Sequence, residues 1–533
     1  MDKHAHLSRR PAPILALICT GLVLSWLGVV RQVEAQRGVG ERSDVAKLRE
    51  RLDLILSDAT ASRGHWGFMV ADAETGNVLV SLNASQTFTP ASNTKLFTTI
   101  LALATLGPDH RIRTTVETNG ALDAMGLLRG DLLLVGRGDG NLSNRIFPWT
   151  KQDRRDGPIE KALADLADQV VRSGVKEIRG DMIADDSYLA PGRFPSGWTV
   201  DDTVWSYGAA VSAIAVNDNV ITLDVRPGEA VGAPLRFALE PAATIYKVRN
   251  EATTTAAGTI EELRLSRDPE SRTFVLSGTV PRDAPRRQLL VAVQEPAENA
   301  AVLFANLLEA RGVRIAGQSR ARHAGDPGLP ATASDPRRVL AEHVSPPLIE
   351  DVRLTNKISD NLHAELMLRL AAKEKGGAAI LDDAVKFAQQ FRTSIGIAPE
   401  DVVLKDGSGL SRDDLATPES FVKLLQYAAR QSWGADFVKT LPIAGEDGTL
   451  ENRMKGTPAA GRIQAKTGQV DHVENLSGFA TTLHGERLIF SIMGDDHNST
   501  GHDAAAIVDR ICVAMVEELG MASDASARPS AQQ

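Results

Sequence analysis

The residues best suited to covalent chemistry in this 533-residue chain are a serine and a lysine three positions apart, in Ser92-Asn93-Thr94-Lys95. On a helix, positions i and i+3 share a face, so hydroxyl and amine point into the same space. A serine hydroxyl is a poor nucleophile until a base removes its proton. A lysine amine does this only when neutral, and desolvation or a second cation nearby pushes it that way. A serine in the first turn also lies among free backbone amides at the positive end of the helix, which favours developing negative charge. The chemistry implied is acyl transfer through a serine ester.

Two later strings complete the set: Ser359-Asp360-Asn361 and Lys466-Thr467-Gly468. Ser359 can relay a proton between Lys95 and a leaving amine, and Asn361 can orient a substrate amide. An N-cap for the apolar helix that follows is the other reading of this string. In the third string, Lys466 supplies positive potential, Thr467 can bond a substrate carboxylate, and Gly468 lets a ligand lie close to an edge strand. Each string alone is weak, and all three in this order make a strong signal. Gly136-Arg137-Gly138-Asp139-Gly140 lacks dinucleotide-loop spacing, and the histidines show no H-x-x-x-H pair, so no cofactor is expected and a zinc site is disfavoured. His497 and His502 read as surface residues.

The elements that must position these groups come from both ends of the chain. Residues 44–60 read as a helix, and Trp66–Asp72 with Val78–Leu82 read as a hairpin. Thr89 suits an N-cap, with Pro90 at the first helical position and Leu96–Leu106 following. Downstream, Gly461–Lys466, Leu476–Leu483 and Arg487–Met493 read as strands, and His502–Leu519 as an amphipathic helix. Together they predict an α+β domain whose antiparallel sheet, flanked by helices, is closed by both termini. Ser359 follows Ser92 by 267 residues, far more than that sheet needs. The interval is strand-rich and broken by one clear helix, Pro296–Ala310, which predicts one or two inserted β-rich domains. His323–Pro336 reads as the return linker.

Bulk properties narrow the class. Apolar content of 43% and charged content of 24% are those of a globular protein. A net charge of -9 and the lack of a basic patch with aromatics argue against nucleic acid and against an electrostatic hold on anionic membranes. Lys3, Arg9 and Arg10 precede an apolar run from Ala12 to Val30, with a small-residue cleavage site at Val33-Glu34-Ala35. This reads as an export signal over residues 1–35, an uncleaved anchor being the alternative. Its removal leaves only Cys512, so no disulfide can form within the chain. Residues 521–533 have the composition of a disordered tail.

The triple motif resembles the penicillin-binding serine enzymes, and its surroundings are similar to their class C low-molecular-mass branch, the D-alanyl-D-alanine carboxypeptidase/endopeptidases. The resemblance is carried by Pro90–Lys95, Asn356–Glu365, Asp406–Arg412, Leu441–Gly445, Asp447–Leu450, Lys466–Gly468 and Leu476–Gly478, and by Tyr207-Gly208-Ala209 and Ser212–Asn217 in the interval. It implies a discontinuous penicillin-binding (β-lactamase-like) transpeptidase domain over 44–112 and 340–520. One inserted domain spans 113–220 with 286–339 and another 221–285. It also implies Ser92 as the acylated nucleophile, Lys95 as its base, and Ser359, Asn361 and Lys466 as their partners. Thr467 and Gly468 join the substrate site, with the backbone amides of Ser92 and Gln469 as the oxyanion hole. Arg412 and an aspartate, best matched by Asp185 beside Asp186, would hold a diaminopimelate side chain. The implied partners are peptidoglycan peptides and β-lactams, the implied location periplasmic or otherwise extracytoplasmic, with no strong membrane association once the signal is removed. A β-lactamase or esterase is the alternative, although no E-x-x-L-N string lies between the second and third motifs. Gln469 stands where the family has Thr or Ser, and Gly140 where it has proline.

Overall fold

Alternation of apolar residues along five strands builds a sheet that is covered on both faces. The computed structural model describes residues 42–326, 337–376, 380–498 and 500–520. The expected export signal and C-terminal tail lie outside these residues, as does most of the expected return linker. The strands run in the order Val78–Leu82, His65–Asp72, Arg487–Asp495, Val473–Thr481 and Ile463–Val470, every neighbouring pair antiparallel. Phe68, Val70, Leu488, Phe490 and Ile492 face one way, and Ile489 and Met493 the other. The first set packs under the terminal helices Ser43–Leu56 and Gly501–Glu518 through Leu48, Leu52, Ile511 and Met515. The second set meets Leu96, Phe97 and Ile100 of Thr94–Leu106 and Phe421 and Leu425 of Pro418–Ala429. The α+β domain closed by both ends of the chain is therefore present.

The chain leaves this domain after Leu106 and returns before Leu348, and the two crossings run side by side. Ser345 N donates to Ile112 O at 2.9 Å and Leu348 N to His110 O at 2.8 Å. Beyond them stands a second five-stranded sheet, Ser319–Arg322, Met182–Asp185, Leu132–Val135, Arg113–Thr118 and Arg338–Val344. Arg338–Val344 crosses the expected boundary at 339/340, yet it pairs along its length with Arg113–Thr118 and so belongs to this sheet. Two helices cover it, the expected Pro296–Glu309 and an unexpected Lys161–Arg172, which buries Leu163, Leu166 and Val170. The insertion is thus a mixed α/β layer here, with parallel pairs such as Leu132–Val135 on Met182–Asp185. A smaller all-β unit gathers around Ile221, Leu223, Phe274 and Val291. Its strand Arg287–Ala292 pairs with Val220–Arg226, so this unit also extends past the expected 221–285. No helix among the described residues is long and apolar enough to cross a membrane.

Candidate active site

The segment before Lys95 departs from the expected cap. Pro90 begins one turn of 3-10 helix over Ala91–Asn93, and the α-helix starts only at Thr94. Thr89 caps nothing: its N–H donates to Asp495 Oδ2 at 2.7 Å. Ala91 has φ of 45°, a left-handed conformation that costs a non-glycine residue energy unless its surroundings impose it. They do so here. Asn475 Nδ2 donates to both Thr89 O and Pro90 O at 2.9 Å, and Asn93 Nδ2 donates to Ser477 Oγ at 2.8 Å. These bonds tie the turn to the middle of the sheet and set Ser92 above it.

Lys95 is fully buried. Its Nζ lies 2.9 Å from Ser92 Oγ, 2.6 Å from Asn361 Oδ1 and 2.7 Å from Ser408 O. Burial pushes its amine down to about 8, against the opposing pull of Asp406, Asp360 and Glu365. Lys466 is equally buried, with Nζ 2.9 Å from Ser359 Oγ and 2.8 Å from Thr467 O. Burial, and then the charge of Lys95, push Lys466 well below the ordinary lysine range, and no carboxylate opposes them. Both lysines are thus pushed toward the neutral form, and a carboxylate pull opposes the push only at Lys95.

Ser359-Asp360-Asn361 forms the corner between helices Leu348–Ile358 and Asn361–Glu374. The cap reading holds for Asp360, whose side chain accepts from His363 N at 3.0 Å. Ser359, with φ of 62°, ends the first helix in the left-handed region and turns its hydroxyl to Lys466. Ser359 is thus bonded to the second lysine, while Asn361 is the member that reaches Lys95. Asn361 Nδ2 also donates to Tyr207 O at 2.7 Å, joining the insertion to the site.

The third string lies inside the strand Ile463–Val470 rather than at its end, because the hairpin turns only at Asp471-His472. Gly468 serves a close backbone approach: a Cβ there would stand 2.5 Å from Pro90 O and 3.0 Å from Asn93 N. The glycine lets the strand lie against the Ser92 turn itself.

Other supports were missed by motif reading. Glu365 Oε1 accepts from Gly407 N at 2.7 Å and Ser408 N at 2.9 Å. Asp406 accepts from Gly409 N, Ser411 N and Trp198 Nε1 at 2.7–2.8 Å. These buried carboxylates shape the loop that offers Ser408 O to Lys95. Glu365 and Asp406 stand in the strings Asn356–Glu365 and Asp406–Arg412, but no spacing rule assigns them this supporting role. Behind the corner, His363 bonds Asp351 at 2.5 Å and Asp218 at 3.1 Å, and Arg145 grips both oxygens of Asp218 at 2.6 and 2.7 Å. Although burial disfavours its charge, Asp351, Asp360 and Asp218 hold His363 protonated well above the ordinary range. Asp218, Asp360 and His363 are spaced for a metal. With Asp218 held by Arg145 and His363 by Asp351, they form an ion-pair network instead. Gly140 makes room for it, since a Cβ there would meet the His363 ring at 2.7 Å. A cavity of about 520 Å³ lies beside this network and borders Ser359, Asp360 and Asn361.

The two expected side-chain-recognition residues are not joined. Arg412 is exposed and donates to Leu410 O at 3.0 Å, making no ion pair with Asp413 or Asp414. Asp185 is buried, accepts from Ser187 N at 3.1 Å, and lies 3.6 and 3.8 Å from Arg322 and Arg337. Asp186 bonds Ser212 and His323, both at 2.8 Å. Thr467 Oγ1 lies 2.8 Å from Thr449 Oγ1, and Gln469 is exposed. His497, expected on the surface, is buried, and its carbonyl faces His472 Nδ1 at 2.8 Å. His502 is exposed as expected.

The chain is similar to known proteins over most of its length. The sequence profile of the D-Ala-D-Ala carboxypeptidase 3 (S13) family matches residues 48–515. A D-alanyl-D-alanine carboxypeptidase from Actinomadura sp. (strain R39) is 35% identical over 495 residues, covering 91% of this chain and 87% of that protein. The crystal structure of penicillin binding protein 4 (dacB) from Haemophilus influenzae superimposes with a TM-score of 0.73 at 23% identity, covering 88% of this chain and 97% of that one. The same protein complexed with a β-lactam gives a TM-score of 0.69 at 22% identity, with the same coverage. Both establish a common fold.

Gly468→Ala tests the close approach. The added methyl overlaps Pro90 O, so the Ser92 turn must move. The expected result is a loss of about 1–3 kcal/mol of stability, read by chemical denaturation. A fall of about 100-fold in the rate of reaction at Ser92 should accompany it, as expected for a misplaced reacting group. Unchanged stability and rate would show that the approach is not needed.

Proposed function

Because the chain belongs to the D-Ala-D-Ala carboxypeptidase 3 (S13) family and is a serine-type peptidase, we propose that it removes D-Ala from peptidoglycan stem peptides and cleaves D-Ala cross-links through an acyl-enzyme on Ser92. One observation carries the reading: the Ser92 hydroxyl lies 2.9 Å from a buried lysine amine whose burial brings it down to about 8.

Neutral Lys95 takes the proton from Ser92 Oγ as the oxygen attacks the carbonyl of the penultimate D-Ala. Backbone amides of Ser92 and Gln469 receive the developing oxyanion. Lys466 and Ser359, joined at 2.9 Å, stand as the donor pair for the leaving amine. A substrate carboxylate beside Thr467 favours the charged form of Lys466. The proton on Lys95 replaces the one that the Lys466–Ser359 pair has given up. Water then attacks the ester with neutral Lys95 as base, and Ser92 Oγ takes that proton as the acid leaves. Exposed Arg412 is suited to take a carboxylate on the substrate side chain, such as that of diaminopimelate, in a bidentate bond. β-Lactams follow the first half of the same path, in keeping with the β-lactam complex of the Haemophilus influenzae protein. The enzyme works outside the cytoplasm, where its substrate lies, after export directed by residues 1–35.

Mixing with benzylpenicillin should add the mass of one penicilloyl group, and Ser92→Ala should remove that adduct while the protein stays folded. An adduct of equal extent on Ser92→Ala would sink the assignment. Arg412→Ala should lower kcat/KM for diaminopimelate peptides by about 1.5–3 kcal/mol, the scale of a charged hydrogen bond, and leave penicillin acylation near the wild-type rate. Equal losses on both would mean that Arg412 supports the loop rather than the substrate.

A further inference from the structure

Segment 442–450 runs beside the strand that carries Lys466. Ala444 N donates to Ile463 O and Ala465 N to Pro442 O, both at 3.0 Å, so the segment covers that strand's outer edge as far as Ala465. It then turns through Gly445 and returns as a 3-10 turn at Gly448–Leu450. That turn sets Thr449 Oγ1 2.8 Å from Thr467 Oγ1.

Strong anchors hold this turn. Buried Asp447 receives Lys357 Nζ on both oxygens at 2.6 Å and Ile443 N at 2.9 Å. Gly448 has φ of 58°, and a Cβ there would lie 2.8 Å from Lys357 O. Breaking a buried ion pair of this kind costs a fold heavily. Yet the side chain so carefully placed, Thr449, is exposed and adds nothing to the core. Among the described residues its side-chain partner is the Thr467 hydroxyl of the third motif.

Two hydroxyls in a mutual bond hold one proton between them and leave the other proton free to be donated. A carboxylate has two oxygens and can accept from both hydroxyls at once. The next residue on the same face of the strand, Gln469, has its amide nitrogen against Gly501, 2.5 Å from where a Cβ would stand. It therefore serves a different neighbour, and Thr449 is the second hydroxyl at this position.

We propose that Thr449 is a substrate-binding residue which, with Thr467, clamps the terminal carboxylate of the peptide and selects free-acid substrates over esterified ones. The proposal rests on the reading of Ser92 as the nucleophile of a D-Ala-D-Ala carboxypeptidase.

The test compares kcat/KM for an acyl-D-Ala-D-Ala peptide and its C-terminal methyl ester in the wild type, Thr449→Val and Thr449→Ser. The free-acid-to-ester ratio should fall by about 10- to 100-fold in Thr449→Val, as expected on losing a hydrogen bond to a charged group. It should stay within about threefold of wild type in Thr449→Ser, which keeps the hydroxyl. Thr449→Ala supplies the same reading should the valine disturb the turn. A ratio unmoved in the hydroxyl-free variants, or a parallel fall on both substrates, would overturn the clamp. If the wild type forms a penicilloyl adduct and turns over the peptide, such a result defeats the clamp alone. If the wild type does neither, the proposed function fails first and the clamp with it.

Discussion

The burial of the Lys95 amine among three oxygen acceptors is the constraint on which the rest of the site depends. The acceptors come from residues 92, 361 and 408, far apart in the chain, and converge within 2.6–2.9 Å of one nitrogen. Removing an ammonium from water is expensive, and the expense is tolerated only where geometry and hydrogen bonding compensate. Much of the neighbouring structure supplies that compensation. Glu365 is gripped by Arg369 at 2.7 Å while it receives two amides of the loop that presents Ser408 O. The left-handed Ala91 is imposed by Asn475 and by Gly409, where a Cβ would stand 1.8 Å from Ala91 O.

The two lysines divide the electrostatic work by their surroundings. Carboxylates of Asp406, Asp360 and Glu365 favour charge on Lys95, whereas among the described residues the charge that acts on Lys466 is that of Lys95, which opposes its own. The insertion takes part in this arrangement. Through Tyr207 O it holds Asn361, and through Arg145 and Asp218 it completes the charge network around His363. Leu189, Val211 and Ala213 also pack against Leu362 and Leu366 of the helix that starts at Asn361. The insertion therefore buttresses the second motif.

Local pattern revealed the residues that do chemistry more readily than the contacts that hold them. The order of the three strings, the terminal hairpin and the helices at either end were legible because periodicity and turn residues are local. The pattern predicts a strand over Gly461–Lys466 with Gly468 leaving room for a ligand, whereas the strand runs on to Val470 and Gly468 makes a close approach to Pro90. Thr89-Pro90 carried the composition of a helix start, and tertiary bonds from Asn475 and Asp495 redirected it. Helix Lys161–Arg172 lay within a stretch read as strand-rich. The exposure of Arg412 and the burial of Asp185 depend on which distant arginines and loops surround them. Asp447 and Lys357 are 90 residues apart, and no spacing rule joins them.

The most direct test of the account is the pH dependence of benzylpenicillin acylation at Ser92, followed by intact mass at fixed reagent concentration. Lys95 acts as base only without its proton, and its amine is lowered to about 8. The neutral fraction therefore grows as pH rises through that value. The acylation rate should climb with a midpoint near pH 8 and level off above it. A rate that is flat from about pH 6.5 to 9.5, or that falls across this range, would contradict a neutral Lys95 as the base.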